Sequence, residues 1–438
     1  METITKQLSA QAGCYTPAFF DMFIDTDKPA TALNLQSFND HERSVFFHEY
    51  VHFMQDFMTV CGLSNIYCLN ERFRLIACDY ATQNPFYVPV HIKDNKGNVL
   101  LNITLNNLSW GGMGNLPTFQ INGTSTTPIN YYELMFAGIS PFQYVELDTD
   151  QGKLGFGKRE IMESMAYILQ RLCTKIDYKS PEYPYCAAEK LAQHLCHTGF
   201  EKDPYNIVAL CDVALMSSNP GFMFVYYLQR IDSGDLHVGK AEDIYDDYYK
   251  QKGVCNKKVM LPMEHFEMVS QMAKKALKSY IDIPQINTHL HPWIDLVFDT
   301  GLQIRQSEKY FFLTLARMGD IMSNTLFLGI LDKVGTPLMH NRNNEYGRQK
   351  SNPDYGDIFQ YITALLAVEN IFNGIFTCPL INFCNQSTGQ TKISVNESCL
   401  HAPWKRRNDV NLCPVAMIIK HRKLAVNEPT LKPMNQNL

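Results

Sequence analysis

The stretch at positions 46–56 reads F-F-H-E-Y-V-H-F-M-Q-D and contains His48, Glu49 and His52. Residues four apart lie on one face of an α-helix, so two histidines at this spacing can point their rings at one metal ion. Glu49 lies beside them, where it can take a proton from a water molecule on that metal. The stretch therefore predicts a divalent-metal site on a helix, and its surroundings must be helical for the prediction to hold.

The residues around this motif predict a helix over about 39–61. Asn39 is a favourable N-cap, and Glu42 at the third helical position completes a capping box. Neither proline nor glycine follows until Gly62, which suits a C-terminal stop. Aromatic and aliphatic side chains cover most of the helical surface, so we expect this helix to be buried.

Polar side chains on one stripe of a buried helix need partners, because their burial is otherwise costly. The stripe here holds the motif histidines, Glu49 and Asp56. A metal ion supplies one such partner. We expect Asp56, one turn after His52, to accept the second ring N–H of a liganding histidine. The alternative for Asp56 is a solvent-facing or salt-bridged carboxylate.

A catalytic zinc ion usually takes three protein ligands and leaves one position for water. Gln55 and Met58 stand where the metzincin pattern needs glycine and histidine, which excludes that class. A later predicted helix, 158–174, offers two glutamates instead. Glu163 flanks the apolar face of that helix close to the small Ala166, whereas Glu160 lies farther round toward solvent. We expect Glu163 to be the third ligand, with Glu160 or another residue as the alternative.

His48-Glu49-x-x-His52 on one helix and Glu163 on a later one resemble the gluzincins over about residues 39–175. The long gap between the two helices makes the chain more similar to an uncharacterised bacterial group than to thermolysin. The resemblance implies a zincin-like core and one catalytic Zn²⁺. It also implies a metalloprotease, a hydrolase that cleaves peptide bonds by Glu49-assisted attack of zinc-bound water. A neutral side chain would stabilise the oxyanion, and the candidates for it are His194, His197, His289, His291 and Tyr167.

Composition bounds the class of protein and its partners. The chain has 438 residues, of which 45% are hydrophobic and 19% charged, so it can bury a sizeable core. Its formal net charge of −5 gives no general attraction to nucleic acid or to anionic membranes, and we expect neither as a partner. Without an export signal or a membrane span, the 13 cysteines are expected to be reduced thiols in the cytoplasm. The expected substrate is a restricted intracellular protein or peptide, in a regulatory, toxin or phage-defence role.

The periodicity along the chain predicts an α+β, mostly helical fold with an inserted β-rich segment. Residues 1–83 form an N-terminal part with the HExxH helix, and 84–156 a β-rich insertion or lid. Residues 157–376 form a helical part with the third ligand, and 377–438 a Cys-rich C-terminal subdomain. Inside the insertion, the runs 86–92 and 99–105 on either side of a turn cluster predict a β-hairpin. The two histidines of 289–291 are expected on an extended piece.

The C-terminal subdomain offers a second possible metal site, a structural zinc site at four cysteines: Cys378, Cys384, Cys399 and Cys413. Their spacing matches no C-x₂-C pair, so buried thiols are the favoured interpretation. For the protein as a whole, the alternative to a peptidase is a helical binding or scaffold protein with a structural or vestigial zinc site. A zinc hydrolase that acts on another bond is the third hypothesis.

Overall fold

The computed structural model describes residues 8–10, 12–79, 85–90, 98–129, 142–174, 176, 180–255, 258–349, 359–386, 393–424 and 428–431. These residues form an α+β fold in which helices predominate and the sheets are small. The predicted fold class is therefore confirmed at this level. Among the described helices, none combines the length and the apolar character that crossing a bilayer requires.

The helices are, in chain order, α1 (Asp40–Met58), α2 (Val60–Asp79), α3 (Asn98–Leu108), α4 (Lys158–Thr174), α5 (Glu182–Tyr185), α6 (Ala187–Leu195), α7 (Pro204–Leu215), α8 (Pro220–Asp232), α9 (Glu242–Tyr248), α10 (Pro262–Tyr280), α11 (Pro284–Ser307), α12 (Phe311–Met318), α13 (Thr325–Val334), α14 (Phe359–Phe372), α15 (Ile381–Gln386), α16 (Glu397–His401) and α17 (Pro414–His421). Short 3₁₀ turns occur at Ala30–Ala32, Phe200–Lys202 and Pro403–Asn408.

The strands are β1 (Leu8–Ala10), β2 (Gly13–Thr16), β3 (Asp21–Ile24), β4 (Phe86–Val88), β5 (Ile121–Ile129), β6 (Phe142–Thr149), β7 (Gly152–Phe156), β8 (Gly253–Cys255), β9 (Lys258–Met260), β10 (Leu338–His340), β11 (Tyr346–Gly347) and β12 (Pro429–Leu431). The largest sheet has the order β1-β2-β3-β10-β11 and is antiparallel except where β3 pairs with β10. Strands β5, β6 and β7 form an antiparallel sheet, while β4 with β12 and β8 with β9 form pairs.

Helix α1 carries the HExxH motif and begins where the sequence predicts. Asn39 accepts a hydrogen bond from the Glu42 amide at 2.9 Å, and Glu42 Oε2 accepts one from the Asn39 amide at 2.8 Å, so both halves of the capping box form. From Val45 to Met58 every side chain is buried, as expected for a helix that is apolar over most of its surface.

The end of α1 corrects the prediction that the helix runs to 61. Thr59 is extended, its hydroxyl donates to the Gln55 carbonyl at 2.7 Å, and the Gly62 amide donates to that hydroxyl at 3.0 Å. Thr59 thus ends α1 and starts α2 at once. Gly62 lies inside α2, where a Cβ atom would come within 2.3 Å of the Gln55 carbonyl oxygen. Its glycine character serves close packing of α2 on α1 and not a C-terminal stop.

Two further predictions from local sequence are wrong. The run 99–105, expected as the second strand of a hairpin, lies in helix α3, and β4 pairs in parallel with β12 near the C-terminus. Most of the turn cluster between the two runs, 93–97, lies outside the described residues. His289 and His291, expected on an extended piece, lie within helix α11, which continues through Pro292. Short apolar runs fit helix and strand alike, and long-range packing decides between them.

Candidate metal centre

Helix α4 packs against α1 and brings Glu163 to the two motif histidines. The Nε2 atoms of His48 and His52 lie 3.1 and 3.3 Å from Glu163 Oε2 and 3.2 Å from each other. In the described part of the chain, no other group of three or more His, Cys, Asp or Glu ligand atoms converges within 4.8 Å. All three side chains are buried. The three ligands proposed from the sequence therefore meet at one point.

Two glutamine amides set which nitrogen of each ring carries its proton. Gln55 Nε2 donates to the Met162 carbonyl at 3.2 Å, which leaves its Oε1 facing His52 Nδ1 at 2.8 Å. Gln170 Nε2 donates to the Ser44 carbonyl at 3.2 Å, which leaves its Oε1 facing His48 Nδ1 at 3.2 Å. A carbonyl oxygen can only accept, so in each ring Nδ1 carries a proton, and a neutral ring then presents its Nε2 lone pair.

This arrangement places three acceptors together, the two Nε2 lone pairs and Glu163 Oε2. Without a positive charge between them they repel one another, because no hydrogen atom is left to bridge them. Zinc–ligand bonds of about 2.0–2.1 Å in a tetrahedron set ligand atoms about 3.3–3.4 Å apart. The separations of 3.1–3.3 Å found here come close to that geometry. The residues present therefore fit a zinc ion, with nitrogen and oxygen ligands of the kind that zinc accepts.

Glu49 is a second carboxylate beside this group, and it is fully buried. Neither of its oxygens has a hydrogen-bond partner among the described residues, and the same holds for Glu163 Oε1. Strand β2 passes directly over it, since a Cβ atom on Gly13 would lie 2.7 Å from Glu49 Oε1. Buried carboxylate oxygens without partners are costly, so their presence points to a water or ligand that they receive.

Burial is the largest influence on the pKa values of these groups. Burial raises the pKa of Glu49 well above its ordinary value, and the charge of Glu163 adds to the rise. Burial lowers the pKa of His48 despite its contact with Glu163, so that ring is neutral at pH 7. The group thus places, beside the three candidate ligand atoms, a base whose affinity for protons is increased.

Asp56 does not orient a histidine ring, contrary to the prediction. Its Oδ2 accepts hydrogen bonds from the Tyr15 hydroxyl at 2.8 Å and the Ala18 amide at 2.6 Å, and it ties the first strands to α1. Gln55 and Gln170 hold the rings instead. Gln55 stands one turn after His52, and Gln170 stands two turns after Glu163, so helical spacing was a usable signal for both.

Glu160, the alternative third ligand, lies elsewhere. It is buried, and it accepts from the Gly157 amide at 2.9 Å, the Gly112 amide at 3.2 Å and the Tyr183 hydroxyl at 2.8 Å. These bonds fix the start of α4 against the preceding chain. Its expected place toward solvent is therefore wrong, and its role here is structural.

The proposed oxyanion donors lie in different places. His197 is exposed and pairs with Asp232 at 3.3 Å, while His291 lines a surface groove with lysines of α10. His194 is half-buried on α6, and the side chain of His289 lies outside the described residues. The Tyr167 ring contacts that of Tyr185, with 5.9 Å between ring centroids.

Tyr185, which no sequence motif marks, lies next to the candidate metal ligands. Its ring centroid is 5.8 Å from that of His48. Burial raises the pKa of its hydroxyl, and the charges of Glu163 and Glu49 raise it further, so the hydroxyl is neutral at pH 7. Its position beside the His48 ring makes it a candidate hydrogen-bond donor at this site. No sequence signal marks it, because it reaches the site from the short helix α5.

Comparisons with models of known protein families, with curated proteins and with solved structures find no match to this chain.

Proposed function

We propose that this chain is a zinc-dependent metallopeptidase with a zincin-like core, in which His48, His52 and Glu163 hold Zn²⁺ and Glu49 is the general base. The proposal rests on one observation. The Nε2 atoms of two histidines and a carboxylate oxygen converge within 3.1–3.3 Å of one another inside the protein, and glutamine carbonyls assign the ring protons to the opposite nitrogens. Hydrolysis of a peptide bond is the reaction that the likeness of this ligand set to the gluzincins implies.

Bound zinc would supply Lewis-acid polarisation of water and of the scissile carbonyl. The chain's own groups would handle the protons. Glu49 has unpartnered oxygens and a raised pKa, so it is suited to accept a proton from water and to return it to the leaving amine. The Tyr185 hydroxyl, kept neutral by burial, would donate to the developing oxyanion.

The burial of the site supports a restricted substrate. Glu49, His48, His52 and Glu163 are at most 1% exposed, and Gly13 of β2 lies against Glu49. A peptide can reach these groups only if a covering segment moves aside. Such a site suits a specific intracellular protein substrate, in a regulatory, toxin or phage-defence role, better than general digestion. Rapid cleavage of unfolded casein would contradict this part of the proposal.

The competing hypothesis is a binding or scaffold protein with a structural zinc ion. A structural site is closed by a fourth protein ligand, whereas a catalytic site keeps a position for water. Three ligand atoms, and not four, converge in the described residues. This count supports the catalytic interpretation.

The test compares zinc content and cleavage of a peptide library in wild type and Glu49→Gln. Glu49→Gln should keep zinc and lose activity by roughly 10²–10⁴-fold, because general-base catalysis contributes about that factor. The double variant His48→Ala/His52→Ala should lose both. Glu71→Gln on α2 is the matched control and should lose neither. The proposal would be overturned if Glu49→Gln retained cleavage, or if the wild-type protein contained no zinc.

A further inference from the structure

Four buried cysteines that lie far apart in the C-terminal sequence come together in space. Cys378 precedes α15, Cys384 lies in α15, Cys399 in α16, and Cys413 is the N-cap of α17. They are 5–8% exposed, and none of them is in a disulfide. The Cys378 amide donates to the Cys399 carbonyl at 2.9 Å, which joins two of the segments directly.

Each of the four thiols is within electrostatic reach of the other three. Burial is the largest cause that raises the pKa of Cys378, and charge on each of the other three cysteines raises it further. Cys384 is affected in the same way by Cys399 and Cys413, and Cys413 by Cys399. In each of the six pairs, charge on one thiol therefore acts on the other. Four thiols that merely filled an apolar core would have no reason to gather at one place.

Hydrogen-bond donors also point at the sulfur atoms. Cys378 and Cys413 each precede a proline, and the turn that follows points main-chain N–H at each sulfur. The amide of Leu380 faces Cys378, and Ala416 N lies 3.4 Å from Cys413 Sγ. Arg406, itself 3% exposed, donates from Nη1 to Cys399 Sγ at 3.0 Å. A neutral thiol is a weak acceptor, whereas such donors stabilise a thiolate.

We propose that Cys378, Cys384, Cys399 and Cys413 bind a second metal centre through four thiolates. The two centres that proteins hold with four cysteines are a single Zn²⁺ and an iron–sulfur cluster. No three of these sulfur atoms lie within 4.8 Å of one another. A zinc ion would draw them to about 3.8 Å, as Zn–S bonds of about 2.3 Å require. A cluster of several irons holds its cysteines farther apart. This centre is independent of the proposed peptidase site.

The first experiment is elemental analysis of the full chain, purified without oxygen, with acid-labile sulfide measured beside it. Wild type should carry one centre more than Cys378→Ser/Cys413→Ser, and His48→Ala/His52→Ala should retain that centre. Cys186→Ser, at a half-buried cysteine outside the group, is the control and should lose nothing. Zinc without sulfide identifies the single ion, and iron with sulfide and visible absorbance identifies the cluster. Equal metal and sulfide in wild type and the double cysteine variant would overturn the proposal.

A second measurement uses unaltered protein, in case the double cysteine variant fails to fold. Wild type is stripped of metal and titrated with Co²⁺. Thiolate ligands should produce an intense sulfur-to-cobalt charge-transfer band in the near ultraviolet, which a site of two histidines and a glutamate lacks. The band should persist in His48→Ala/His52→Ala. Its absence from wild type that still binds Co²⁺, in protein that also carries no iron or sulfide as purified, would contradict the four-thiolate centre.

Discussion

Two fully buried polar clusters lie along helix α1, and they differ in how their charges are balanced. Near its end, Arg305 of α11 pairs with Asp212 of α7 through both Nη atoms, and the Tyr245 hydroxyl adds a bond to Asp212 at 2.8 Å. Arg305 Nε also donates to the Met58 carbonyl at 2.8 Å, which satisfies the last turn of α1. In this cluster each charge has its opposite and each donor has an acceptor.

The cluster in the middle of α1 has no such balance. Glu163 and Glu49 bring carboxylates, the histidines bring lone pairs, and the described residues provide no buried cation that contacts them. Acceptors buried together in this way repel one another unless a positive charge lies among them. The Arg305–Asp212 pair carries both charges within the chain, whereas the cluster around Glu163 would be balanced by the metal ion that we propose.

The largest expected effect is the loss of stability when Arg305 is removed from its pair with Asp212. Arg305→Met leaves Asp212 buried without a counter-charge and should lower the free energy of unfolding by about 3–5 kcal/mol. Urea denaturation at pH 7 measures it. Arg317→Met, which breaks an ion pair at the surface with Glu242, is the control and should cost about 0–1 kcal/mol. A loss at Arg305 as small as that of the control would mean that Asp212 does not depend on its partner.

The next effect is a dependence of stability on pH, which Asp56 causes. Burial, the largest cause, raises the pKa of Asp56 from 3.8 to about 7 despite its bonds to Ala18 and Tyr15. Between these values the native state keeps a proton that the unfolded state has released, so the stability of wild type should fall as pH rises from about 4 to 7. Asp56→Asn keeps one accepting oxygen and carries no charge, so this fall should shrink by up to roughly 4 kcal/mol.

Unfolding curves of wild type and Asp56→Asn from pH 4 to 8 provide the measurement. The stabilities of the two proteins should be similar near pH 4, separate as pH rises to about 7 and stay apart above that, with the variant more stable there. Metal content should not change, because Asp56 contacts Tyr15 and Ala18 and not a histidine. Parallel curves, or loss of metal from the variant, would contradict this account.

Metal removal tests the cluster formed by His48, His52 and Glu163. Zinc added back to chelator-treated protein should raise its stability by about 2.7 kcal/mol at a free concentration of 100 times the dissociation constant. The comparison is with His48→Ala/His52→Ala, treated identically, because any contribution of the cysteine group is common to both. The part of the thermal shift that this variant lacks belongs to the histidine site. Equal shifts in the two proteins would show that the histidines bind no zinc.

The features that could be predicted from the sequence are those set by residues close together along the chain. The capping box at Asn39 and Glu42 and the spacing of His48 and His52 depend on neighbours within one turn, and all are found as predicted. The choice of Glu163 over Glu160 followed from the apolar face of α4. The helical character of 98–108 was missed because an apolar run of that length is compatible with either structure until its packing is known.

The parts of the site that sequence does not predict are those set by long-range contacts. Tyr185 approaches His48 from a different segment of the chain. Asp56 has the right spacing for a histidine partner, but its side chain lies on β2 and the residues that follow it. Gln55 and Gln170 have no distinguishing pattern beyond their helical face. Each needs the distant carbonyl that fixes its amide, from Met162 or Ser44, before its role is defined.

The smallest effect we predict concerns these two amides. Gln170→Leu and Gln55→Leu remove the acceptor that holds the proton on Nδ1, so the ring can turn or adopt the other tautomer and present Nδ1 or a proton to the metal. Loss of such an orienting partner typically lowers metal affinity about 10–100-fold, which is about 1.4–2.7 kcal/mol. Competition with a chromophoric chelator measures the zinc affinity of each variant.

The matched control is Gln271→Leu, at an exposed glutamine on helix α10 that contacts neither histidine. It should leave zinc affinity unchanged. Gln170→Glu sharpens the test, because a carboxylate still accepts from His48 Nδ1 and should keep most of the affinity that Gln170→Leu loses. If leucine and glutamate at 170 weaken zinc binding equally, the amide acts by packing alone, and the tautomer of His48 must be set by another group.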